Sequence, residues 1–393
     1  MIKGRQSLLA ILLALACVGF LAPRFEVSGT RVALTDLACI LIIGVVAWGP
    51  TAYARLRLGF RGFELFYAGV LLVLGLGYGV IFTDLGSFVQ GIRIFVFCLA
   101  GISAAFLSTA QLQRTLKAAS VILLLWYGPA TANTVVSLIS GEVSLAQFMW
   151  DYDAGRLTAP HEVSGTSSVP LGYLFAFVFL YGLNQLDARR SVGALLFAVM
   201  GLALCFLTAS RASILSAAVL LIIFMFDWAR NNGFKGILVA FALCLPIIVV
   251  IGLAIMEKTL VDDALDSSGV QRLGYYTMAV DNLLTNPMSL LVGFGVSDAL
   301  LERRTGIAFY ESLLFNSLAQ GGLLLLIPSL GLVVHPLLQA AAANGRRASY
   351  VIRNLLAVGA IVFIGNSIGG ANFFSVYAYA YYSLLFELLR REA

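Results

Sequence analysis

Charge is scarce in this sequence. Of its 393 residues only 11% are Asp, Glu, Lys or Arg, against 60% hydrophobic, and the mean hydropathy is +0.95. Soluble domains carry about 25% charged and roughly 45–50% apolar residues. Too little polar side chain is present to cover this much apolar surface, so lipid is the expected solvent. Histidine is nearly absent: His161 and His335 stand alone, with no cysteine near either. The five cysteines, Cys17, Cys39, Cys98, Cys205 and Cys244, all fall inside apolar segments without CxxC spacing. Zinc motifs and disulfides are thereby disfavoured, and buried structural thiols are the reading that remains. The formal net charge is +5, but no Lys/Arg run interleaves with aromatics, so nucleic acid is a poor partner.

What is there is a series of long apolar runs. A spanning helix needs about 20 mostly apolar residues. Such runs lie near 7–23, 33–50, 64–83, 89–109, 118–138, 168–185, 192–209, 212–228, 236–256, 312–334, 351–369 and 372–389. Only a helix satisfies its own backbone in lipid at these positions, so the predicted fold is all-α, a polytopic membrane protein of about 12 spans in a single transmembrane domain over 1–393. Lys3 and Arg5 precede the first apolar run, and Ala14–Cys17 resembles a cleavage site, but Val18 to Ala22 continue the run, so an uncleaved helix is expected. With the N-terminus cytoplasmic, most of the 25 basic residues fall on short inner connections: Arg55, Arg57, Arg61, Arg114, Lys117, Arg189, Arg190, Arg230, Lys235, Arg346, Arg347, Arg353, Arg390 and Arg391 among them. The positive-inside rule then sets both termini inside.

Two connections on the opposite, extracytoplasmic side are long, about 141–167 and 257–310. Loops held by a rigid scaffold are where binding and catalysis concentrate. In the second, Val270, Leu273, Thr277, Val280 and Leu284 recur at helical spacing, with Arg272, Tyr275, Ala279 and Asn282 on another side. An amphipathic interfacial helix is predicted over 268–285, ended by Asn286-Pro287 because proline cannot continue it. Gly293-Phe294-Gly295 follows as a turn.

Three stretches then stand in order. They are Leu207-Thr208-Ala209-Ser210-Arg211-Ala212-Ser213; Arg272, Tyr275, Tyr276, Ala279, Asn286-Pro287 and Gly293-Phe294-Gly295; and Tyr310-Glu311-Ser312 with Asn316 and Ala319-Gln320-Gly321-Gly322. The series resembles the O-antigen ligase and Wzy-type polymerase superfamily, over roughly residues 195–335. The resemblance implies a GT-C-like membrane glycosyltransferase that uses polyprenyl-diphosphate-linked saccharides outside the cytoplasmic membrane of a bacterium, with no metal or nucleotide sugar. Membrane lipid is an expected partner, and a chain-length regulator a candidate one. Ligases of the superfamily typically carry a histidine before the span that follows the large loop. Here that place reads Tyr310-Glu311-Ser312, which is more similar to the polymerase branch. Polymerase is therefore the adopted reading, ligase the alternative, and a lipid-linked saccharide transporter a third, though no repeat between the halves favours transport.

The chemistry so implied is attack of a sugar hydroxyl on an anomeric carbon with departure of a lipid diphosphate. Fixed cations must hold that diphosphate, and a base can take the hydroxyl proton. Arg211, in a short turn between two spans, and Arg272, on the interfacial helix, are the expected phosphate ligands, because arginine stays charged and offers a planar fork. The bland alternative for both is headgroup contact, or for Arg272 a local pair with Asp266 or Asp281. Glu311 is the expected base, or else an acid favoured by a helix N-terminus. Asn316 and Gln320 lie one and two turns on, lining the cavity or bonding a neighbouring helix. Tyr275, Arg156 and His161 are candidate substrate contacts, the latter two in a loop that also reads as a solvated one. Arg93 is either paired structurally, with Asp84 on the preceding loop, or near the diphosphate; Asp36 caps or pairs, and Arg303-Arg304 are expected at the surface.

Overall fold

The computed structural model describes residues 2–27, 30–47, 62–150, 157, 168–189, 191–233, 238, 245, 264–307, 312–342, 348–368 and 376–391. Helices dominate. They are α1 (Ile2–Val18), α2 (Leu34–Ala47), α3 (Gly62–Ile81), α4 (Leu85–Ile102), α5 (Thr109–Ser140), α6 (Leu145–Trp150), α7 (Ser168–Arg189), α8 (Val192–Leu207), α9 (Arg211–Asn232), α10 (Ala264–Thr285), α11 (Pro287–Val292), α12 (Asp298–Thr305), α13 (Leu313–Ala342), α14 (Ala348–Ile368) and α15 (Val376–Arg391). An antiparallel hairpin, Phe25–Val27 with Thr30–Val32, joins the first two. Eleven of the predicted spans coincide with helices. The twelfth, 236–256, lies outside the described residues except at two positions.

This is a multi-pass membrane bundle, and its packing follows from lipid being as apolar as leucine. Helices there associate through close packing and polar contacts, not through expulsion of water. Accordingly α3 meets α4 where Gly75 faces Ser87 and Gly91, and α7 meets α8 where Gly182 and Gly201 lie against Ala198 and Phe179; a Cβ at any of these would collide with the opposing backbone. Two helices are enclosed on all sides. Residues 170–184 of α7 and 378–389 of α15 are buried throughout the described faces, with Phe175, Phe177, Phe179, Tyr381 and Phe386 at their centre. A helix that is apolar all round belongs in such a position. The lipid-facing surface is carried by α3, α4 and α5, where Val73, Val80, Leu85, Leu125, Trp126 and Ile139 are exposed. Cys17, Cys39, Cys98 and Cys205 are buried free thiols; Cys244 lies outside the described residues.

One end of the bundle is tied by charge. Arg353, only 4% exposed, donates to Asp227 at 2.5 Å, Asp187 at 2.9 Å and Asn184 at 3.4 Å, and lies over the rings of Phe224 and Tyr350. It thereby joins α14 to the last turns of α7 and α9. The sequence reading counted Arg353 among the basic residues of the inner connections; its partners, far away in sequence, draw it into the bundle at that end. At the other end of α14, Ile364 packs with Tyr173 of α7 and Ala212 of α9. Because α13 returns into α14 at the Arg353 end, the start of α13 lies with the start of α9, at the end called the loop end below.

Candidate functional site

The first part of the site is the turn between α8 and α9. Helix α8 stops at Leu207, and Ala209 takes a φ of 47, the left-handed region that a non-glycine residue seldom enters. Local hydroxyls answer the carbonyls this leaves open. Thr208 Oγ1 donates to the Cys205 carbonyl at 2.8 Å, and Ser213 Oγ lies 2.9 Å from the carbonyls of Cys205 and Ser210 and from Thr208 Oγ1. Both hydroxyls are fully buried. Gly172 of α7 presses against Ser213 and Thr208, leaving no room for a side chain. Arg211 opens α9, and its side chain lies outside the described residues. Beside it Ser210 is buried, and its hydroxyl finds no hydrogen-bond partner among the described residues. The amide of Leu157 donates to the Leu207 carbonyl at 3.0 Å, so the first long loop is fastened to this turn. Arg156 and His161, on either side of Leu157 in that loop, lie outside the described residues.

The second part is a broken helix with a strand-like segment laid into the break. Gly322 has φ 60 and ψ −153 inside α13, which separates a short segment, 313–321, from the rest. A break of this kind orphans the last carbonyls of the first segment. The Phe294 amide donates to the Ala319 carbonyl at 2.7 Å and the Gly295 amide to the Gln320 carbonyl at 3.3 Å, which satisfies them. The Gln320 side chain completes the seam by donating to the Val296 carbonyl at 3.0 Å. Gly293, with φ 78, faces Gln320 and Gly321, while Gly322 faces Leu290 and Leu291, and neither leaves space for a Cβ.

Helix α10 begins at Ala264, four residues before its predicted start, and ends at Thr285 as expected. Asn286 then caps α11, accepting from the amides of Met288 and Ser289, with Pro287 at the first helical position. The buried face of α10 is the one with Tyr275, Tyr276, Ala279 and Leu283, which pack on Phe294, Ala319 and Phe315. Tyr276 and Phe315 stack at 4.1 Å with 7° between ring planes. Met278, Val280 and Leu284 face outward. Arg272 stands one helical turn before Tyr275 and Tyr276; its side chain, like Glu311 altogether, lies outside the described residues. Asn316 and Gln320 are both buried within the short segment.

The α3–α4 turn holds this second part in place. The Tyr78 hydroxyl lies 2.8 Å from the carbonyls of both Val292 and Gly293. Asp84 caps α4 by accepting from the Ser87 amide at 3.0 Å and also accepts from Ser297 Oγ at 2.6 Å; the Ser297 amide donates to Ser87 Oγ. Burial alone would push the Asp84 carboxyl up, but the hydrogen bonds from Ser297 and Ser87 outweigh it and hold the group below its ordinary value. Arg304 donates to the Phe294 carbonyl at 2.9 Å and lies over the rings of Phe82 and Phe294. Arg303 and Arg304 are both exposed, as expected, and Arg304 in addition lies between two aromatic rings.

Arg93 is paired, but not with Asp84, which is already engaged. Its Nε donates to Asp36 Oδ1 at 3.0 Å and its terminal nitrogen to Oδ2 at 3.3 Å, while the guanidinium lies 5.3 Å from the Phe97 ring centre. Asp36 in turn caps α2 by accepting from the Ala33 amide at 2.8 Å. Half of the Arg93 side chain stays exposed.

Tyr275, Asn316 and Gln320 are thus brought into one packed unit, and Arg211 opens a separate turn at the same end of the bundle. Tyr78 and Ser297 were not singled out from the sequence; Asp84 was read only as a partner for Arg93, and Arg304 only as a surface cation. The Asp84-to-Ser87 spacing is a helix-start signal, but nothing local marks Tyr78, one hydroxyl in an apolar run, as a partner of residues more than 200 positions away.

Residues 194–330 match the family model described as O-antigen ligase, Wzy_C. The match runs from α8 into the second segment of α13 and takes in the Thr208–Arg211 turn, α10 to α12 and the glycine seam. Over that stretch the resemblance to the O-antigen ligase and polymerase superfamily is borne out. A search of curated proteins returns no match.

Proposed function

Starting from a family match over 194–330 in a multi-pass membrane bundle, we propose that the protein is a Wzy-type polysaccharide polymerase. It joins polyprenyl-diphosphate-linked repeat units of an O-antigen, capsule or exopolysaccharide. The proposed setting is the outer face of a bacterial inner membrane, with both termini cytoplasmic and the loop end extracytoplasmic. The observation that carries the reading is the shared location at the loop end of the Arg211 turn and the α10–α13 unit, each built with its backbone groups already satisfied.

The growing chain or incoming unit presents a sugar hydroxyl. Its oxygen attacks the anomeric carbon of the second lipid-linked saccharide as the bond from that carbon to the diphosphate oxygen breaks. The electron pair leaves with the lipid diphosphate, and the hydroxyl proton passes to Glu311. Arg211 and Arg272 would hold the diphosphate through both states, gaining strength as negative charge grows on the leaving oxygen. The unpartnered Ser210 hydroxyl beside Arg211 offers one further hydrogen bond. Arg156, His161, Arg93, Tyr275 and Asn316 remain proposed contacts to saccharide or phosphate. Gln320 is better read as holding the seam, since its amide is already used by Val296.

The second reading is ligation of the glycan to lipid A-core, the activity that the family description names. Against it stands Tyr310-Glu311-Ser312 where a ligase histidine would be expected. Purified protein in bilayers, given lipid-linked repeat units and no lipid A-core, should lengthen chains. Arg211→Ala should yield none while remaining folded and inserted, and Glu311→Gln should be strongly slowed. Wild-type chain lengths from Arg211→Ala would remove the assignment, and products formed only with lipid A-core would establish the ligase.

A further inference from the structure

We propose that Tyr78 and Arg304 are positioning residues. Together with the Asp84–Ser297 contact they form a clamp by which the α3–α4 turn fixes the α10–α13 unit for the transfer reaction. The part of this that concerns turnover rests on the function proposed above.

The argument starts from what the unit lacks. Segment 313–321 is a helix of under three turns, and isolated helices of that length are marginal. Its last carbonyls are closed by the amides of Phe294 and Gly295, so its orientation is only as fixed as those two residues. Phe294 lies between Gly293 and Gly295, both at positive φ, and glycines by themselves favour no one conformation. Something outside must hold them, and the contacts that do so come from a stretch well before the family match. Tyr78 sits on the carbonyls of Val292 and Gly293 on one side of Phe294. Asp84 and Ser87 take the hydroxyl and amide of Ser297 on the other.

Arg304 closes the gap between these two anchors. It bonds the Phe294 carbonyl and is flanked by Phe82 and Phe294, and Phe82 stacks in turn on Tyr78 at 5.6 Å. Tyr78, bonding the Gly293 carbonyl, and Arg304, bonding the Phe294 carbonyl, thus hold two successive carbonyls of the same segment. Planarity matters at this place: a guanidinium can lie on a ring and still bond in its own plane, whereas an ammonium cannot do both. Through Phe294 the clamp reaches the short segment, and through the Tyr276–Phe315 stack it reaches α10. These two elements begin or run beside Ser312 and Tyr275, next to the positions proposed to carry the base and the second phosphate ligand. The Arg211 turn is instead fastened to α7 and to Leu157. On this reading the clamp sets the register of one half of the site against the other.

The test uses the full chain in lipid nanodiscs, with Tyr78→Phe, Arg304→Lys and Ser297→Ala. Residue-resolved hydrogen exchange at the Phe294 and Gly295 amides should be about tenfold faster in Tyr78→Phe and Arg304→Lys, with distant helices unchanged. With lipid-linked repeat units as substrate, kcat should fall by about tenfold or more while KM stays within about twofold, since ground-state binding is not what the clamp serves. Unchanged exchange at both amides would overturn the clamp whether or not the protein proves to be a polymerase. Faster exchange with wild-type kcat would overturn its role in the reaction. Should Tyr78→Phe fail to insert, Ser297→Ala reads the other anchor by the same exchange measurement. Failure of the wild type to lengthen chains would count against the proposed function alone, because the exchange result stands apart from it.

Discussion

Gly322 and Gly293 are tightly constrained at the loop end. Both have φ in the left-handed region, at 60 and 78, and each faces opposing backbone where a methyl group cannot fit. Gly322→Ala should therefore cost at least about 1–3 kcal/mol of backbone strain, with steric overlap added. A lowered melting midpoint in detergent is the expected result, and a midpoint equal to wild type would mean that the break in α13 is not there. The sequence shows Gly321-Gly322, and a glycine pair within an apolar run is a warning of a kink. It does not say that the kink would free carbonyls for Phe294 and Gly295. That pairing joins residues about 25 apart through backbone atoms, which no side-chain pattern encodes.

Among the elements, helix ends were more legible than helix interiors. Ser108 and Gln111 form a capping box that starts α5, and Asn286-Pro287 separates α10 from α11, both readable as local chemistry. The length of α5 was not. Thr109–Ser140 is 32 residues, about 48 Å at 1.5 Å per residue, well beyond a hydrocarbon core of about 30 Å. Its later turns are mostly exposed, consistent with a helix that runs past the apolar layer or tilts within it. The start of α4 is pH-sensitive. Asp84 is held below the ordinary carboxyl value by its bonds to Ser297 and Ser87, so its contribution is complete above the unfolded value of 3.8 and is lost as pH falls through the lower folded value. Exchange at the Ser87 and Ser297 amides should rise on acidification in that window. In Asp84→Asn the rise should be absent, and a rise of equal size there would assign it to another group.

At the scale of the whole molecule, Arg353 is one charge that ties helices together at the end opposite the site. Removing it leaves Asp187 and Asp227 facing each other, one of them only 14% exposed, without the cation that both accept from. Breaking a buried pair by deleting one partner costs about 3–5 kcal/mol. Arg353→Ala should lower the melting midpoint accordingly, and Asp187→Asn with Asp227→Asn in the same chain should recover part of the loss. An unchanged midpoint would show that the cluster contributes nothing. Activity is a separate readout, since Arg353 lies at the far end of α14 from the Arg211 turn.

Composition and the apolar runs determined the solvent, the helical class and the approximate spans of this protein, because an unbroken apolar run of about 20 residues satisfies its own backbone in lipid only as a helix. Local chemistry determined where α10 stops and where the Thr208–Arg211 turn falls. Tertiary structure decided which charged and polar groups are structural. Arg93 went to Asp36 and not to Asp84, Arg353 turned inward, Arg304 bonded the Phe294 carbonyl between two rings, and Gln320 gave its amide to Val296. The physical reason is the same in each case. A polar group near lipid is costly until it finds a partner, and which partner is within reach depends on how helices distant in sequence lie side by side.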